Sequence, residues 1–555
     1  MTKGDRIEGS AVSKQASSEI DYEILIVGAG FAGLRMLHEA RNLGMSAHIL
    51  EMGDGVGGTW FWNRYPGARC DVLSADYSYT FSPELDQEWR WSERYATQPE
   101  ILSYIDHVVE KFDFGRDISL NTRVESAHFV EDQSIWSVTD EHGRQWRARY
   151  LVMATGCLSV PKMPDFPGQN SFLGESYHTA FWPKEKVDFT GKRVAVIGTG
   201  SSGTQLIPIA AREAAHLTVF QRTPNFSIPA RNAPISDEQD AEIKAEYPAR
   251  RLRARNSPTG LGYVPIKEKA LEVDPETRRA HYEQQWNTVG FGFLLSFPDL
   301  MLDRAANDTA ADFVREKIRG IVEDEKLADM LSPTGYPFGA KRPCVDSGYF
   351  ETFNRDDVEL VDMRVTPIER ITETGLATTD AEYEFDMIVY ATGFDAITGA
   401  LLKPDIRGAD GVSLRESWAD GPAAFLGLAT AGFPNFFFIT GPGSPSVLSN
   451  VLMSIEQHVE WLGRMFKDAR SRNVTYIEAT EEAQSEWTNQ VAETAARTLY
   501  PQAASYYMGD DVQGKPRGFM PYAGGLRAFR RKCDEVAENG YAGMTLKETA
   551  TASGV

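Results

Sequence analysis

The residues best suited to chemistry in this chain are two copies of one glycine pattern, at residues 28–33 and 198–203. In such a pattern the first glycine permits a tight turn, the second lets a pyrophosphate approach the backbone, and the third allows close packing of helix on strand. The chain is therefore expected to bind two dinucleotides. The predicted cofactor-binding positions in the two copies are Gly28, Gly30, Gly33, Gly198, Thr199, Gly200, Ser201, Ser202 and Gly203.

The residue that ends the next strand differs between the two copies. After the first copy it is Glu51, and a carboxylate at about this distance binds the 2′-hydroxyl of an adenosine ribose. After the second copy Gln221 is followed by Arg222 and Thr223. A guanidinium binds a 2′-phosphate, which a carboxylate would repel. We therefore predict FAD at the first site and NADP(H) at the second, the alternative for Arg222 being a solvated arginine at a strand end.

Both glycine patterns lie between a short apolar strand and a helical stretch, which is the context of a dinucleotide site. The strands before them cover residues 24–27 and 194–197. The two predicted dinucleotide-binding regions also end in the same way. In each, a hairpin-like segment leads into an Ala-Thr-Gly turn, at residues 154–156 in the first and at residues 391–393 in the second. The predicted fold class is α/β, with two Rossmann-like dinucleotide-binding domains, for FAD and NADP, and a helical insertion.

The same patterns predict the domain boundaries. Residues 21–158 and 391–545 are expected to form the FAD-binding domain, and residues 159–229 and 333–390 the NADP-binding domain. Residues 230–332 combine charged clusters with apolar residues at helical spacing, such as Phe313, Val314 and Ile318, and are predicted to be the helical insertion. Residues 1–20 are polar and are predicted to be a disordered tail.

The composition excludes several classes of partner. A net charge of −22 opposes binding to nucleic acid or to an anionic membrane, because both need a basic surface. No apolar run approaches the roughly 20 residues of a membrane span, and no signal peptide is recognisable. The four cysteines form no Cys-x-x-Cys pair, so we predict reduced thiols in a cytoplasmic protein, with no metal site and no required protein partner.

The segment between the two predicted domains carries the most specific pattern. It reads Phe172-x-Gly174-x-x-x-His178-x-x-x-Trp182-Pro183. This pattern resembles the fingerprint of the Baeyer-Villiger monooxygenases, flavoproteins that insert one oxygen atom of O2 beside a ketone carbonyl. In the related flavin-containing monooxygenases, which oxidise nitrogen and sulfur, an aromatic residue and a lysine usually stand in place of Trp182 and Pro183. The resemblance therefore favours the ketone branch.

Two further segments fit the same family, and the resemblance runs from about residue 22 to residue 541. One segment covers residues 57–71, and the other is Gly339-Ala-Lys341-Arg342. Within the family the chain looks most similar to phenylacetone and steroid monooxygenases. The cofactor-binding positions that the residues and the resemblance imply outside the glycine patterns are Glu51, Gly58, Thr59, Trp60, Asp71, Tyr77, Arg222, Thr223, Lys341, Arg342 and Tyr506.

The resemblance implies an enzyme that uses FAD, NADPH and O2 to convert ketones to esters or lactones through a flavin C4a-peroxide. Arg342 would be catalytic, because a permanent cation keeps that peroxide deprotonated and stabilises the negative adduct. Asp71 would be catalytic by holding Arg342 beside the flavin, and Lys341 would join Arg222 and Thr223 at the 2′-phosphate. Without the family, Arg342 and Asp71 could be a buried structural ion pair.

Three residues of a loop rich in glycine and proline, Ser446, Val447 and Leu448, would shape the ketone pocket. Taken alone, the loop could equally be a turn of the FAD domain. His178 is expected to couple NADP binding to the domain arrangement or to be a structural histidine, and it is not predicted to be a general base.

One segment departs from the family pattern. Tyr506 stands where the family commonly has tryptophan, and Asp510 and Asp511 stand in place of its alanine and asparagine. A tyrosine can still donate a hydrogen bond to a nicotinamide ribose. The two carboxylates, however, put the usual geometry at the NADP phosphates in doubt.

Two other functions remain alternatives at this point. One is a flavin-containing monooxygenase that oxidises nitrogen or sulfur. The other is a non-catalytic redox sensor that binds both nucleotides, although Asp71 and Arg342 argue against it. A disulfide reductase is excluded, because no redox-active cysteine pair follows the first glycine pattern.

Overall fold

The computed structural model describes residues 20–263, 266–288 and 290–548. Apart from Ile20, the predicted disordered tail at residues 1–20 lies outside the described residues. Within those three ranges no helix is both long enough and apolar enough to cross a membrane.

The described chain contains strands in several sheets. In chain order the strands are β1 (Tyr22–Val27), β2 (Ala47–Leu50), β3 (Ile118–Ser119), β4 (Val124–Val130), β5 (Ile135–Asp140), β6 (Gln145–Met153), β7 (Glu175–His178), β8 (Arg193–Ile197), β9 (His216–Gln221), β10 (Ser227–Pro229), β11 (Cys344–Asp346), β12 (Val358–Asp362), β13 (Ile368–Thr372), β14 (Gly375–Thr378), β15 (Glu382–Glu384), β16 (Met387–Tyr390), β17 (Asp405–Arg407), β18 (Phe436–Phe438), β19 (Val474–Ala479) and β20 (Met544–Glu548).

The α-helices lie between these strands. In chain order they are α1 (Phe31–Asn42), α2 (Thr59–Trp62), α3 (Pro83–Glu88), α4 (Gln98–Lys111), α5 (Ser201–Glu213), α6 (Asp237–Asn256), α7 (Pro275–Thr288), α8 (Arg304–Ile321), α9 (Glu325–Leu331), α10 (Tyr349–Thr352), α11 (Gly399–Leu402), α12 (Leu414–Ser417), α13 (Val451–Ser471), α14 (Glu481–Ala496) and α15 (Leu526–Glu538).

The first sheet has eight strands and carries the first glycine pattern. Its order is β17-β4-β5-β6-β1-β2-β3, with β18 also paired to β6. Strands β6, β1, β2 and β3 run parallel, and β4, β5 and β6 form an antiparallel meander that includes the predicted hairpin. The central strand β1 is apolar because helices cover the sheet, and its residues Ile24, Leu25 and Ile26 are fully buried.

The second sheet has five parallel strands and carries the second glycine pattern. Its order is β12-β9-β8-β16-β7. The hairpin-like segment predicted before β16 is a three-stranded antiparallel meander of β13, β14 and β15 instead. The two parallel-strand sheets agree with the predicted α/β class.

Part of the fingerprint segment is a strand of this second sheet. The segment lies between the two predicted domains, and β7 within it pairs in parallel with β16 along its whole length. Edge pairing satisfies the backbone groups of the segment, which a free linker would leave to water. The segment is therefore fixed to the nucleotide-binding unit.

Residues 230–332 contain the helices α6, α7, α8 and α9. Trp286, Phe293, Phe313 and Val314 pack into the same apolar core as the strands and helix of the second sheet. The helical character predicted for this region agrees with the structure, and its apolar face packs beside the second nucleotide site.

Candidate active site

The first glycine pattern forms the turn between β1 and α1. Gly28 has a φ of +105°, in the left-handed region that favours glycine. A side chain on Gly33 would overlap the Gly28 carbonyl oxygen, so α1 packs directly on the turn. Gly30 caps α1 without a side-chain hydrogen bond, and the first turn of α1 has no acidic residue. No side chain competes there for the backbone N–H groups, which suits a phosphate.

The second glycine pattern repeats this arrangement between β8 and α5. Gly198 has a φ of +109°, and a side chain on Gly203 would overlap the Gly198 carbonyl oxygen. An atom added at Gly200 would meet nothing within 4 Å, so the space in front of α5 is open. This helix also begins without a side-chain cap or an acidic first turn. Both turns therefore fit the pyrophosphate of a dinucleotide.

Glu51 follows β2 directly and is 5% exposed. Its carboxylate oxygens accept hydrogen bonds from the backbone N–H groups of Ala29 and Gly53, both at 2.7 Å. Burial raises the pKa of Glu51, and these hydrogen bonds oppose the rise. Because each carboxylate oxygen can accept two hydrogen bonds, the group can still bind a ribose hydroxyl. This geometry fits the predicted role of Glu51.

One cavity of about 840 Å³ connects the two turns. It brings together most of the cofactor-binding residues predicted from the sequence. Those that line it are Gly28, Gly30, Glu51, Gly58, Thr59, Trp60, Asp71, Tyr77, Gly198, Thr199, Gly200, Ser201, Ser202, Arg222, Thr223, Lys341, Arg342 and Tyr506. Gly33 and Gly203 do not line the cavity but pack each helix on its turn.

Trp60 and Tyr77 form part of the apolar wall of the cavity. The Trp60 indole N–H donates to the Tyr77 hydroxyl at 3.1 Å, and the two rings meet edge to face with centroids 5.7 Å apart. Burial raises the pKa of Tyr77 well above its ordinary value, so the hydroxyl stays neutral. This wall therefore adds shape and apolar contact without charge.

Arg342 lies in the cavity with a fixed orientation. Its Nε and Nη2 atoms donate to the two Asp71 carboxylate oxygens at 2.6 and 2.9 Å, and Nη1 donates to the Val447 carbonyl at 2.8 Å. Burial alone would lower the pKa of Arg342, but the charge and hydrogen bonds of Asp71 outweigh it and raise the pKa. A fixed, permanent cation thus faces the cavity.

Three more cations line the cavity on the side of the second glycine pattern: Arg222, Lys341 and Lys162. Burial and then the charge of Arg222 lower the pKa of both Lys341 and Lys162. Lys341 also lies over the Tyr336 ring, 4.9 Å from its centroid. The pattern of charge suits an anionic group such as a 2′-phosphate.

Comparison with known proteins agrees with this geometry. A family model described as pyridine nucleotide-disulphide oxidoreductase matches residues 25–245. A Baeyer-Villiger monooxygenase from Pseudooceanicola batsensis is 40% identical over 534 residues, which cover 96% of this chain and 97% of that protein. The chain belongs to the Baeyer-Villiger monooxygenase family. The four cysteines, Cys70, Cys157, Cys344 and Cys533, are free thiols.

Solved structures of other family members are similar over nearly the whole chain. Oxidised steroid monooxygenase bound to NADP is 51% identical, with a TM-score of 0.91 and coverage of 95% of this chain and 99% of that one. The complex of OTEMO with FAD and NADP is 41% identical, with a TM-score of 0.92 and coverage of 95% and 100%. The phenazine N-monooxygenase of Lysobacter antibioticus is also 41% identical, with coverage of 95% and 97%.

In this Baeyer-Villiger monooxygenase the fingerprint residues lie outside the cavity. The His178 Nδ1 accepts a hydrogen bond from the Ala180 N–H at 3.1 Å, so Nε2 carries the proton and faces the Thr392 hydroxyl at 3.2 Å. That hydroxyl donates to the Lys162 carbonyl at 2.6 Å. Burial lowers the pKa of His178, which is therefore neutral at pH 7. The geometry fits a positioning role rather than proton transfer.

The other fingerprint residues make packing contacts. An atom added at Gly174 would come within 2.7 Å of the Asp386 carbonyl oxygen, and Phe172 packs against the core beside β13. Trp182 is 6% exposed, and its ring lies tilted beside that of Phe189 with the centroids 6.2 Å apart. Together with Pro183 it lines a second cavity of about 510 Å³. These residues therefore pack the chain segments that lie directly before and after β7.

The predicted substrate-pocket loop contacts the cavity in only one of its three residues. Val447 lines it, but Ser446 and Leu448 do not. Residues 446–448 form a short 3-10 turn, so neighbouring side chains point in different directions. Ser449 and Val451 line the cavity instead.

Sequence reasoning missed Lys162 entirely. It follows the first Ala-Thr-Gly turn, and no spacing or motif connects it with Arg222 or Lys341. The one signal that could have indicated it is its location. A basic residue in the segment that crosses between two nucleotide sites lies near their phosphates. The described residues contain no group of three or more His, Cys, Asp or Glu side chains that could hold a metal ion.

Proposed function

We propose that this chain is an FAD-containing enzyme that uses NADPH and O2 to convert ketones to esters or lactones. Membership of the Baeyer-Villiger family supports this proposal, and so does the fit of the two glycine turns, Glu51 and the cationic wall to FAD and NADP. When bound, these cofactors supply the electron transfer and the oxygen activation. The protein supplies binding, orientation and charge.

The observation that carries the proposal is the Arg342 guanidinium held by Asp71 inside the cavity between the two glycine turns. A ketone gains negative charge on its carbonyl oxygen when an oxygen nucleophile attacks it. A permanent cation stabilises that charge and also favours the ionised form of the nucleophile. Each unit by which it lowers the nucleophile's pKa corresponds to about 1.4 kcal/mol.

The neighbours of Arg342 fix where this charge acts. Asp71 binds two N–H groups on one edge of the guanidinium, and the Val447 carbonyl binds a third N–H, so the cation cannot rotate without breaking a hydrogen bond. Tyr506 lines the cavity beside them, and burial raises its pKa to about 12 although Arg342 opposes this rise. Its neutral hydroxyl can donate a hydrogen bond to the coenzyme.

The test is product identification with a panel of cyclic, aromatic, linear and steroid ketones, with NADPH and O2 supplied. We expect esters or lactones carrying one added oxygen atom. NADPH consumption by itself does not support the proposal, because wasted reduction of O2 also consumes NADPH. NADPH consumption without any such product across the panel would overturn it.

A second candidate function is N-oxidation, and one comparison favours it. The phenazine N-monooxygenase is as similar to this chain as OTEMO is. Overall identity therefore does not separate the two reactions. Supplying phenazines and thioethers in the same assay separates them, since N-oxides or sulfoxides without any ester would favour the second function.

We further propose the remaining sequence predictions as working assignments. The FAD-binding domain would comprise residues 21–158 and 391–545, and the NADP-binding domain residues 159–229 and 333–390, with the insertion at residues 230–332. The named cofactor-binding and catalytic residues would have the roles predicted for them from the sequence. Four free thiols suit the reducing cytoplasm as the compartment, with a ketone and O2 as the other reactants.

A further inference from the structure

Lys162 is held at the crossing between the two nucleotide-binding units. Its backbone N–H donates to the Gly393 carbonyl at 2.9 Å, and its carbonyl accepts from the Thr392 hydroxyl at 2.6 Å. The residues on either side of this crossing, Pro161 and Phe394, form an antiparallel bridge. The backbone of Lys162 is therefore fixed to the second Ala-Thr-Gly turn, and the side chain extends from this fixed point.

That side chain faces the coenzyme end of the cavity. Lys162 lines the same cavity as Arg222 and Lys341. Among the described residues, none of these three cations has a carboxylate oxygen within 4.0 Å, although the chain as a whole is strongly acidic. Three cations that face one space without a paired carboxylate repel each other, and an anion between them removes that repulsion.

The contacts of Lys162 leave its charge available to such an anion. Its Nζ donates to the Asp511 backbone carbonyl, which is a neutral acceptor. The Asp511 carboxylate makes its contacts to other groups through Oδ2, which accepts from the Ala396 N–H at 2.8 Å and lies 3.5 Å from Lys515 Nζ, while Oδ1 is buried without a hydrogen-bond partner among the described residues. Burial and the charge of Arg222 lower the pKa of Lys162, and Asp511 and Asp395 oppose this.

We propose that Lys162 is a third cation of the coenzyme 2′-phosphate site and that it contributes, with Arg222 and Lys341, to the preference for NADPH over NADH. The inference rests on the proposed use of NADPH. It adds to that function a specificity-determining residue supplied by the crossing segment rather than by the second glycine pattern. The link from Nζ to Asp511 also ties the segment at residues 505–517 to this site.

The test measures binding of two probes to the FAD-loaded enzyme by calorimetry. One probe is 2′-phospho-ADP-ribose and the other is ADP-ribose, which lacks only the phosphate. For Lys162→Gln we expect binding of the phosphorylated probe to weaken about 10-fold, because one charge-assisted contact is lost, and binding of ADP-ribose to change less than about twofold. Lys162→Arg should retain the preference.

Two controls make the result specific. Lys326→Gln removes the charge of an exposed lysine on α9 and should leave both affinities unchanged. Flavin content and melting temperature report whether each variant folds. If Lys162→Gln weakens both probes equally, or neither, the residue is only a structural link to Asp511 and the inference is wrong.

This outcome is distinguishable from failure of the proposed function. Probe binding requires no turnover. If the unchanged enzyme formed no ester but the Lys162→Gln variant lost the preference for the phosphorylated probe, only the ketone reaction would be contradicted. An enzyme that formed esters normally, with phosphate preference unchanged in Lys162→Gln, would contradict only the role of Lys162.

Discussion

Asp71 and Arg342 lie 271 positions apart in the sequence, yet two hydrogen bonds of 2.6 and 2.9 Å join their charged groups. Such a bidentate pair fixes both the position and the plane of the guanidinium. The carboxylate comes from the segment between α2 and α3, whereas the guanidinium comes from the loop between α9 and β11. The cation therefore reaches its place only when both units are folded together.

Replacing Arg342 by alanine should separate NADPH oxidation from oxygen insertion. The variant should still bind FAD, because none of the first glycine turn is changed, and NADPH should still be consumed. Ester formed per NADPH oxidised should fall by at least about 100-fold, the loss typical of a removed charge-stabilising group. Product and NADPH are measured in the same reaction. A ratio near that of the unchanged enzyme would contradict the catalytic role and direct attention to Arg69 or Lys341, which line the same cavity.

Asp71→Asn tests positioning rather than charge supply. Asparagine keeps the size of the side chain but loses the charge and one acceptor, so Arg342 keeps its cation and loses its fixed plane. We expect ester formation to slow roughly 10- to 100-fold, as for other misplaced catalytic groups. Asp71→Glu should recover part of the rate. Equal rates for Asp71→Asn and the unchanged enzyme would show that the pair is structural.

Arg222→Ala should change coenzyme preference. Arg222 is exposed at the end of β9 and faces the cavity, so its contact with a 2′-phosphate is partly screened by solvent. We expect kcat/KM for NADPH to fall about 5- to 30-fold and that for NADH to change little. Steady-state kinetics with both coenzymes measures this difference. An equal fall in kcat/KM for NADH would show that the substitution acts through folding and not through the 2′-phosphate.

Two glycines of the second pattern should respond differently to alanine. In Gly203→Ala the new methyl group would overlap the Gly198 carbonyl oxygen, so α5 must move and the melting temperature should fall. In Gly200→Ala the methyl group meets no protein atom within 4 Å and enters the open space before α5. We expect Gly200→Ala to keep its stability but to lose NADP affinity, as measured by calorimetry. A destabilised Gly200→Ala would contradict this division of roles.

His458 should make the stability of the protein depend on pH. It is fully buried on α13, its Nδ1 accepts from the Thr440 N–H at 3.0 Å, and burial lowers its pKa to about 3. The unfolded chain binds a proton below about pH 6.5 and the folded chain does not, so stability is lost as the pH falls. This residue alone should account for about 2 kcal/mol of the unfolding free energy between pH 7 and pH 5.

Urea unfolding at several pH values measures this dependence. His458→Gln should flatten the slope even if it lowers the stability at every pH, because glutamine does not titrate. Parallel slopes for His458→Gln and the unchanged protein would show that this histidine does not control the pH dependence.

Local patterns predicted more of this molecule than distant ones did. The two glycine turns, the strands before them and Glu51 depend on residues close together in the chain, and the sequence indicated each of them. In the second unit a further short strand, β13, pairs with β14 across a two-residue turn, so a three-stranded meander stands where a hairpin was predicted. The fingerprint was recognised as a pattern, but its pairing with β16 is a tertiary contact that no spacing reveals.

The cavity shows the same limit at the level of single side chains. Family resemblance was enough to name Asp71 and Arg342 as partners, although their roles in catalysis stay predictions. It did not indicate Lys162, whose position depends on the backbone bonds to Thr392 and Gly393. Nor did it indicate that the turn at residues 446–448 presents Val447 to the cavity and directs the neighbouring side chains elsewhere.

During synthesis on the ribosome, strand β6 is made long before its neighbour β18. Strand β6 ends at Met153, and its neighbour β18 begins only at Phe436. At the usual 5–20 residues per second, roughly a quarter of a minute to a minute passes before that neighbour is made. Residues 151–153 of β6 therefore lack their β18 neighbour while the second nucleotide-binding unit is made, although β5 already pairs with residues 145–148. A nascent chain arrested before Phe436 would expose this short stretch of edge to other chains.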